Sequence, residues 1–382
     1  MSLALELKGQ KIYAADPPTK DALVKSSYGK ILKGKLELIP EEALYLMDVR
    51  NAECRSSKKE VTFTQLAGKF SSKKLMSRYF AYKDWRDRGL ILRTPNTSYL
   101  PPHATPIKRY PGGRIRLPRY KLKGTFFQHD LMSVIEDDEN GKHLYENYWL
   151  GQYGTYKAAE RGRLNKLDAY ETLFLVEKGR LALRNSTKAK VISSARRRRS
   201  DFLKLYEVYK DFRNHGYVVK TGFKFGTHFR VYFPGAKPIK DENWVHSKHV
   251  IHVFPKESKL LISEWARAIR VAHSVRKTFI LAIPGKAAAK GGKIDFLLYH
   301  RKGGDTESPE KSPPKFALLS LGEEEYIGGS ELSGAIRGAQ AKKLELVLAI
   351  ADRETAVTYY RVKRIELPGS RHDYYEIDWM QP

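Results

Sequence analysis

The chain has 382 residues, with 70 Lys and Arg against 43 Asp and Glu, a formal charge of +27, 41% hydrophobic residues and 30% charged ones. That length allows about two to four compact units, and the apolar share excludes a disordered tail. So large a positive excess repels itself unless a polyanion neutralises it, so nucleic acid is the first partner expected. The single cysteine, Cys54, excludes an internal disulfide and a thiolate zinc site. No apolar run of membrane-spanning length occurs, and Met1 to Lys8 lacks a signal-peptide core. A reducing, cytoplasmic location without a membrane partner is expected.

In chain order, residues 1–94 read as a small hairpin sheet followed by amphipathic helices that stop at Gly89. Residues 95–119, with Pro101, Pro102, Pro106, Pro111 and Pro118, form an extended connector. Residues 120–218 then repeat the first block. Tyr79-Phe80-Ala81-Tyr82-Lys83-Asp84-Trp85 returns 127 positions later as Tyr206-Glu207-Val208-Tyr209-Lys210-Asp211-Phe212, and Gly89 returns as Gly216. The spacing from Tyr28 to Glu42 is 14 and from Tyr153 to Glu171 it is 18, so the second copy has gained residues within Lys157–Lys166. The run Arg196 to Arg199 is predicted to start a helix on a solvated face.

Residues 219–301 follow as a back half. A strand from His249 to Phe254 leads into a helix with Leu261, Trp265, Ile269 and Ala272 on one face, then a strand Thr278 to Ile283. A polar linker, 302–314, separates it from residues 315–382, where Ala268-Ile269-Arg270 and Leu281-Ala282-Ile283 recur 67 positions on as Ala335-Ile336-Arg337 and Leu348-Ala349-Ile350. The layout is front half, complete unit, back half. The expected class is α+β, built from duplicated and trimmed two-domain modules, each half a small mixed or antiparallel sheet packed with helices. Each trimmed half lacks its complement, so a homodimer is expected, held partly by the strand Tyr374 to Trp379.

The two back halves differ where chemistry would sit. Shifted by 67, His246 falls on Pro313 and Lys277 on Leu344, so a titratable group and a cation are confined to the complete unit. Gly216-Tyr217-Val218-Val219-Lys220-Thr221-Gly222-Phe223-Lys224-Phe225-Gly226 and Phe229-Arg230-Val231-Tyr232 precede His246-Ser247. Arg270-Val271-Ala272-His273-Ser274-Val275-Arg276-Lys277 follows. Together these segments resemble the catalytic subunit of the archaeal tRNA-intron endonucleases, and the unit order resembles their three-unit form, in which two chains make the assembly.

The resemblance implies an RNA-splicing endoribonuclease that needs no metal or cofactor. It cuts precursor tRNA at bulge-helix-bulge junctions to leave 2′,3′-cyclic phosphate and 5′-hydroxyl ends. Tyr232 is then the base for the 2′-hydroxyl, its phenolate favoured by Lys277; His246 is the acid for the leaving oxygen; Lys277 stabilises the phosphorane. Arg270 matches one of two arginines that clamp a flipped bulge base. The second is not assigned, Arg301 being a weak candidate and Arg337 a structural repeat. Asp352 and Glu354 occupy the place of an acidic hairpin that docks on another unit, whereas the equivalent loop of the complete unit, with Lys286, Lys290 and Lys293, is basic. From its charge, the added loop with Lys157, Arg161 and Lys166 is expected to touch RNA.

Two other classes are open. A metal-dependent nuclease would use Glu257 with Asp241, although Glu257 recurs as Glu324 in the copy without the catalytic residues. A non-catalytic RNA-binding scaffold would not depend on His246 or Lys277. His246, His249 and His252 do not form a metal set, because the strand points His249 away from the other two.

Overall fold

A computed structural model describes residues 3–71, 74–240, 243–285, 292–302 and 304–382. Both front halves are small sheets backed by helices. Residues 4–60 hold a six-stranded sheet and residues 122–183 a five-stranded one. The helix Leu75–Asp87 (α1) and the helix Phe202–Asn214 (α2) correspond residue for residue under the 127-residue shift. Each gives way to a left-handed glycine, Gly89 at φ +74° and Gly216 at φ +85°, a conformation that carries no Cβ penalty there. The arginine run corrects one expectation: Arg196 to Arg198 close the helix Lys188–Arg198 rather than open one. Cations are favoured at the last turn, where the unpaired carbonyls concentrate negative charge.

The back halves share one sheet. Its strands are Leu92–Arg93 (β1), Lys108–Arg109 (β2), Val218–Thr221 (β3), Phe229–Tyr232 (β4), His249–Val253 (β5), Thr278–Ile283 (β6), Phe296–Leu298 (β7), Phe316–Gly322 (β8), Glu345–Ala351 (β9), Val357–Glu366 (β10) and Asp373–Met380 (β11). Their order is β3-β4-β5-β6-β11-β10-β9-β8-β7-β1, with β2 alongside β10. That order reads the same from both ends once copies are matched. Val231 opposite His249 becomes Leu298 opposite Phe316, and His249 opposite Thr278 becomes Phe316 opposite Glu345. A pseudo-two-fold axis therefore passes between β10 and β11. It also relates Lys259–Leu261 to Tyr326–Gly328, which pair antiparallel with Leu260 opposite Ile327.

The symmetry changes the reading of the two trimmed halves. β1, from the first front half, pairs with β7, and Tyr82, Trp85 and Leu92 share a core with Phe296, Leu298, Leu318 and Val347. The missing halves are supplied within the chain, and not by a second copy. One unit, called inactive because it lacks counterparts of His246 and Lys277, is assembled from the first and last blocks of the sequence, and the unit that carries them, called catalytic, is inserted between those blocks. The inactive back half also begins earlier than the polar run suggested. β7 is the copy of β4, and the segment 302–314, expected as a linker, occupies the positions of the loop that carries His246. The strand Tyr374 to Trp379 does lie at an interface, but an internal one: β11 joins the edge of β6 to β10.

Two helices cover the other face of this sheet, Ile262–Ser274 (α3) and Gly329–Ala341 (α4). Trp265, Ile269 and Ala272 fall on one stripe at helical spacing and are buried with Ile336 and Ala339 over Leu281, Leu348 and Ile377. Each fully buried aliphatic of this kind contributes about 1.5–3 kcal/mol. Among the described residues no helix is long and apolar enough to cross a membrane.

Each front half is tied to the central hairpin by an equivalent contact. Tyr374 on β11 donates to Asp211 of α2 at 2.6 Å, and Tyr359 on β10 donates to Asp84 of α1 at 2.8 Å. Tyr374→Phe removes a buried hydrogen bond to a charged acceptor and is expected to destabilise the chain by about 1.5–3 kcal/mol. A urea unfolding midpoint that does not move would refute this role for Tyr374.

Candidate active site

A cleft of about 370 Å³ opens between the two halves of the catalytic unit, and Tyr232, His246 and Lys277 all line it. Three separate segments deliver them. Tyr232 is the last residue of β4. His246 is exposed in the loop after the hairpin of Ile239–Lys240 and Asn243–Trp244. Lys277 lies between α3 and β6, where Arg276 adopts φ +54° and the Lys277 N–H closes the turn on the Ala272 carbonyl.

Tyr232 is held from several sides. It is 4% exposed, and its ring lies 4.5 Å from that of Trp149, centroid to centroid. Gly151, at φ +79°, belongs to the turn that carries Trp149; a Cβ there would meet Asn165 Oδ1 at 1.9 Å, so only glycine fits. Burial pushes the Tyr232 phenol above its ordinary range, opposed first by the Arg230 charge and then by a hydrogen bond with Ser247. The cation that acts on Tyr232 is thus Arg230, two residues back on the same face of β4 and 5.8 Å from the ring, rather than Lys277 as the sequence suggested. Lys277 donates to the Ser247 carbonyl and sits 4.8 Å from the centre of the Phe225 ring. Burial and the Arg230 charge both draw the Lys277 ammonium below its ordinary range.

A buried ion pair forms the floor. Lys220 on β3 donates to Glu171 at 2.6 Å and to the Gly151 carbonyl at 2.8 Å, while Glu171 accepts from the Gly151 N–H at 3.0 Å. This pair locks the turn bearing Trp149 to the strand sheet, so it positions Tyr232 indirectly. In the inactive unit Arg93 takes the place of Lys220, donating to the Gly29 carbonyl beside the buried Glu42. Lys220→Met leaves a buried carboxylate unpaired and is expected to cost about 3–5 kcal/mol. Lys220→Arg, which reproduces the cation of the other copy, should retain most of that stability. Equal denaturation midpoints for the two variants would contradict this account.

Of the other sequence candidates, Lys157 and Lys166 line the cleft, whereas Arg161 is exposed beyond it on the same loop. Arg270 is exposed on α3 outside the cleft, near Glu323 and Tyr360 of the inactive unit. Arg301 donates to the Arg88 carbonyl and belongs to the inactive unit. Asp352 and Glu354 form the tip between β9 and β10, where the Asp352 carboxylate already accepts the N–H groups of Glu354 and Ala356. Lys286, Lys290 and Asp241 lie outside the described residues.

The histidines do not converge. His249 stacks on Phe233 at 4.7 Å, and burial draws it down to about 4; His252 packs on His228. Among the described residues no group of three His, Cys, Asp or Glu is placed to hold a metal. In the inactive unit, Tyr299 stands where Tyr232 stands in the active one. It is fully buried, and burial pushes its phenol up to about 12. The tyrosine is thus present in a copy that has Pro313 and Leu344 at the positions of His246 and Lys277.

Sequence reasoning missed Trp149, Arg230, Ser247 and Lys220. Only the last left a visible trace, as Arg93 in the 127-residue repeat.

Known proteins resemble both parts of the module. A family model described as tRNA intron endonuclease, catalytic C-terminal domain, matches residues 202–291, and one described as tRNA intron endonuclease, N-terminal domain, matches residues 4–67. The tRNA-splicing endonuclease of Methanopyrus kandleri is 39% identical over 144 residues, covering 36% of this chain and 75% of the relative. That of Pyrobaculum arsenaticum is 34% identical over 163 residues, covering 40% of this chain and 86% of the relative. That of Methanosarcina mazei is 25% identical over 363 residues, covering 77% of this chain and 97% of the relative.

Proposed function

The chain belongs to the tRNA-splicing endonuclease family of tRNA-intron lyases, which excise introns from precursor tRNA, and from that premise we propose how it cuts and where. The substrate is a bulge-helix-bulge junction. Tyr232 takes the proton of the 2′-hydroxyl, whose oxygen attacks the adjacent phosphorus. The bond to the 5′-oxygen breaks as His246 protonates it, and Lys277 faces the charge on the phosphorane. The products are a 2′,3′-cyclic phosphate and a 5′-hydroxyl, and neither water nor a metal ion enters the balance. The observation that carries this reading is that a base candidate, an acid candidate and a cation from three segments line one cleft.

The pH dependence follows from the direction of the tyrosine shift. The productive state pairs phenolate with imidazolium. With the Tyr232 phenol raised, that state is a small and nearly constant fraction between the histidine range and the tyrosine range. The profile of kcat/KM is therefore expected to show a broad plateau. Arg230→Met, by raising the phenol further, should lower the plateau, by at most about tenfold for each pKa unit added, because the more basic phenolate partly offsets its smaller population.

Labelled bulge-helix-bulge RNA incubated in EDTA provides the test. The native chain should cut both bulges and leave cyclic phosphate ends, and His246→Ala should not. Cutting that EDTA abolishes would return the metal-dependent alternative, and binding without cutting the scaffold one. In the same assay, Lys157→Ala with Lys166→Ala should weaken binding and flatten its salt dependence if the added loop tracks phosphate, as proposed also for Arg161. An unchanged salt slope would exclude that.

One chain carries one set of Tyr232, His246 and Lys277, whereas an intron has two ends. A homodimer supplies two active units, each placed so that Arg270 reaches the bulge bound by the partner. The exposed tip with Asp352 and Glu354 is proposed to dock on the partner subunit's basic surface. Asp352→Lys with Glu354→Lys should convert the dimer to monomer in sedimentation, and an intact dimer would refute the docking role.

A further inference from the structure

Tyr156 and Trp244 face each other at the mouth of the cleft, both lining it. Their ring centroids are 6.3 Å apart with planes inclined by 35°, and Tyr156 is 51% exposed. That separation is ordinary for offset ring pairs in this protein, such as Tyr28 and Tyr45 at 6.4 Å, but unlike those buried rings Tyr156 keeps an exposed face. Stacked bases occupy roughly 3.4 Å per layer, so a flat ring inserted between two others needs about 7 Å. The Tyr156 and Trp244 centroids, 6.3 Å apart, are therefore less than an ångström short of that spacing, and the rings admit a base by parting slightly at the exposed Tyr156 side.

Two cations flank the same ring. Lys224 Nζ is 5.6 Å and Lys157 Nζ 5.9 Å from the Tyr156 centroid. An exposed aromatic bracketed by lysines combines a π surface with neutralisation of phosphate, the pairing that single-stranded nucleic acid requires.

The distribution of these residues between the copies is a second, independent observation. In the inactive unit the position of Trp244 is Lys311, and the shorter segment between Gly29 and Glu42 contains no aromatic residue. Both rings are thus confined to the active unit, as His246 and Lys277 are. A ring kept only for packing would be expected in both.

We propose that Tyr156 and Trp244 form a stacking slot for one unpaired nucleobase of the RNA strand whose phosphate enters the cleft. The proposal rests on the reading of this cleft as the site of RNA cleavage. The slot holds the base from within the catalytic unit itself, with a phenol and an indole, and Lys157 and Lys224 neutralise the phosphates on either side. It selects for an unpaired nucleotide, because a base held in a duplex stack has no free faces to offer.

Binding to an uncleavable RNA separates the two ideas. Bulge-helix-bulge RNA carrying a 2′-deoxynucleotide at each cut site lacks the attacking hydroxyl, so affinity is read by anisotropy whether or not the enzyme cuts. Tyr156→Ala should weaken binding roughly 10- to 100-fold, the loss of one stacked base, and Tyr156→Phe, which keeps the ring, should recover most of it. Removing the base at one particular bulge position should weaken binding by the native chain to a similar extent and have little further effect on Tyr156→Ala. Trp244→Leu should show the same insensitivity at the same position. If every abasic position penalises native and Tyr156→Ala chains equally, or if Tyr156→Ala binds as tightly as the native chain, the slot does not exist. Failure of the native chain to cut the all-ribose RNA would instead overturn the cleavage reading, and leave the abasic comparison to decide the slot by itself.

Discussion

Strand β6 is buried along its whole length apart from its first residue, and its outer edge has no neighbour of its own unit to pair with. In the inactive unit the corresponding strand β9 turns back directly into β10. In the active unit the chain leaves β6 and passes to β7 of the other unit instead. An unpaired apolar edge strand exposes a row of backbone groups and invites aggregation. β11 resolves this by pairing with β6 over five residues and with β10 over seven. The rest of the assembly follows from that strand. It sets the pseudo-two-fold axis, fuses the two units into one sheet, and brings Tyr374 to Asp211 so that α2 and the active front half are fastened to the same hairpin.

The active site depends on that fusion only indirectly; its immediate support is electrostatic. Five basic groups, Arg230, Lys277, Lys220, Lys157 and Lys166, line a cleft with Asp168 and Glu171, and just one tight pair, Lys220 with Glu171, is closed among them in hydrogen-bond range. The remaining positive charge is left for a polyanion. Burial raises Tyr232 and lowers Lys277, the directions that reduce charge in an empty, partly dehydrated site. In the proposed mechanism an RNA phosphate reverses the balance for the lysine.

Much of this was legible because duplication writes its own alignment. Shifts of 127 and 67 predicted which helices and strands correspond; helices α1 and α2 reproduce the first, and the strand registers reproduce the second at Val231 and Leu298, and at His249 and Phe316. The cleft residues Tyr232, His246 and Lys277 were legible as motifs. The partner of each trimmed half was not. A shift within one sequence shows that a complement is absent from a segment, but not whether the complement comes from the far end of the chain or from another molecule. The polar stretch 302–314 also hid its origin. Once His246 had been replaced by Pro313, nothing in composition separated a degenerate loop from a linker, although Tyr299 just before it preserves the position of Tyr232. Trp149 and Ser247 act through shape and backbone carbonyls, which leave no pattern in residue type.

The inactive unit joins strands from residues 92–93 to strands that begin at residue 296. A ribosome adds about 5–20 residues each second, so the first front half emerges with Tyr82, Trp85 and Leu92 uncovered and waits roughly 10–40 s for its complement. The catalytic unit waits a shorter time but closes later, since β11, which pairs with its strand β6, is made after β7 to β10. Both units therefore depend on long-range pairing, a topology that folds slowly. A nascent chain that stops between Lys277 and β11 holds every residue that lines the cleft but leaves the apolar edge of β6 unpaired.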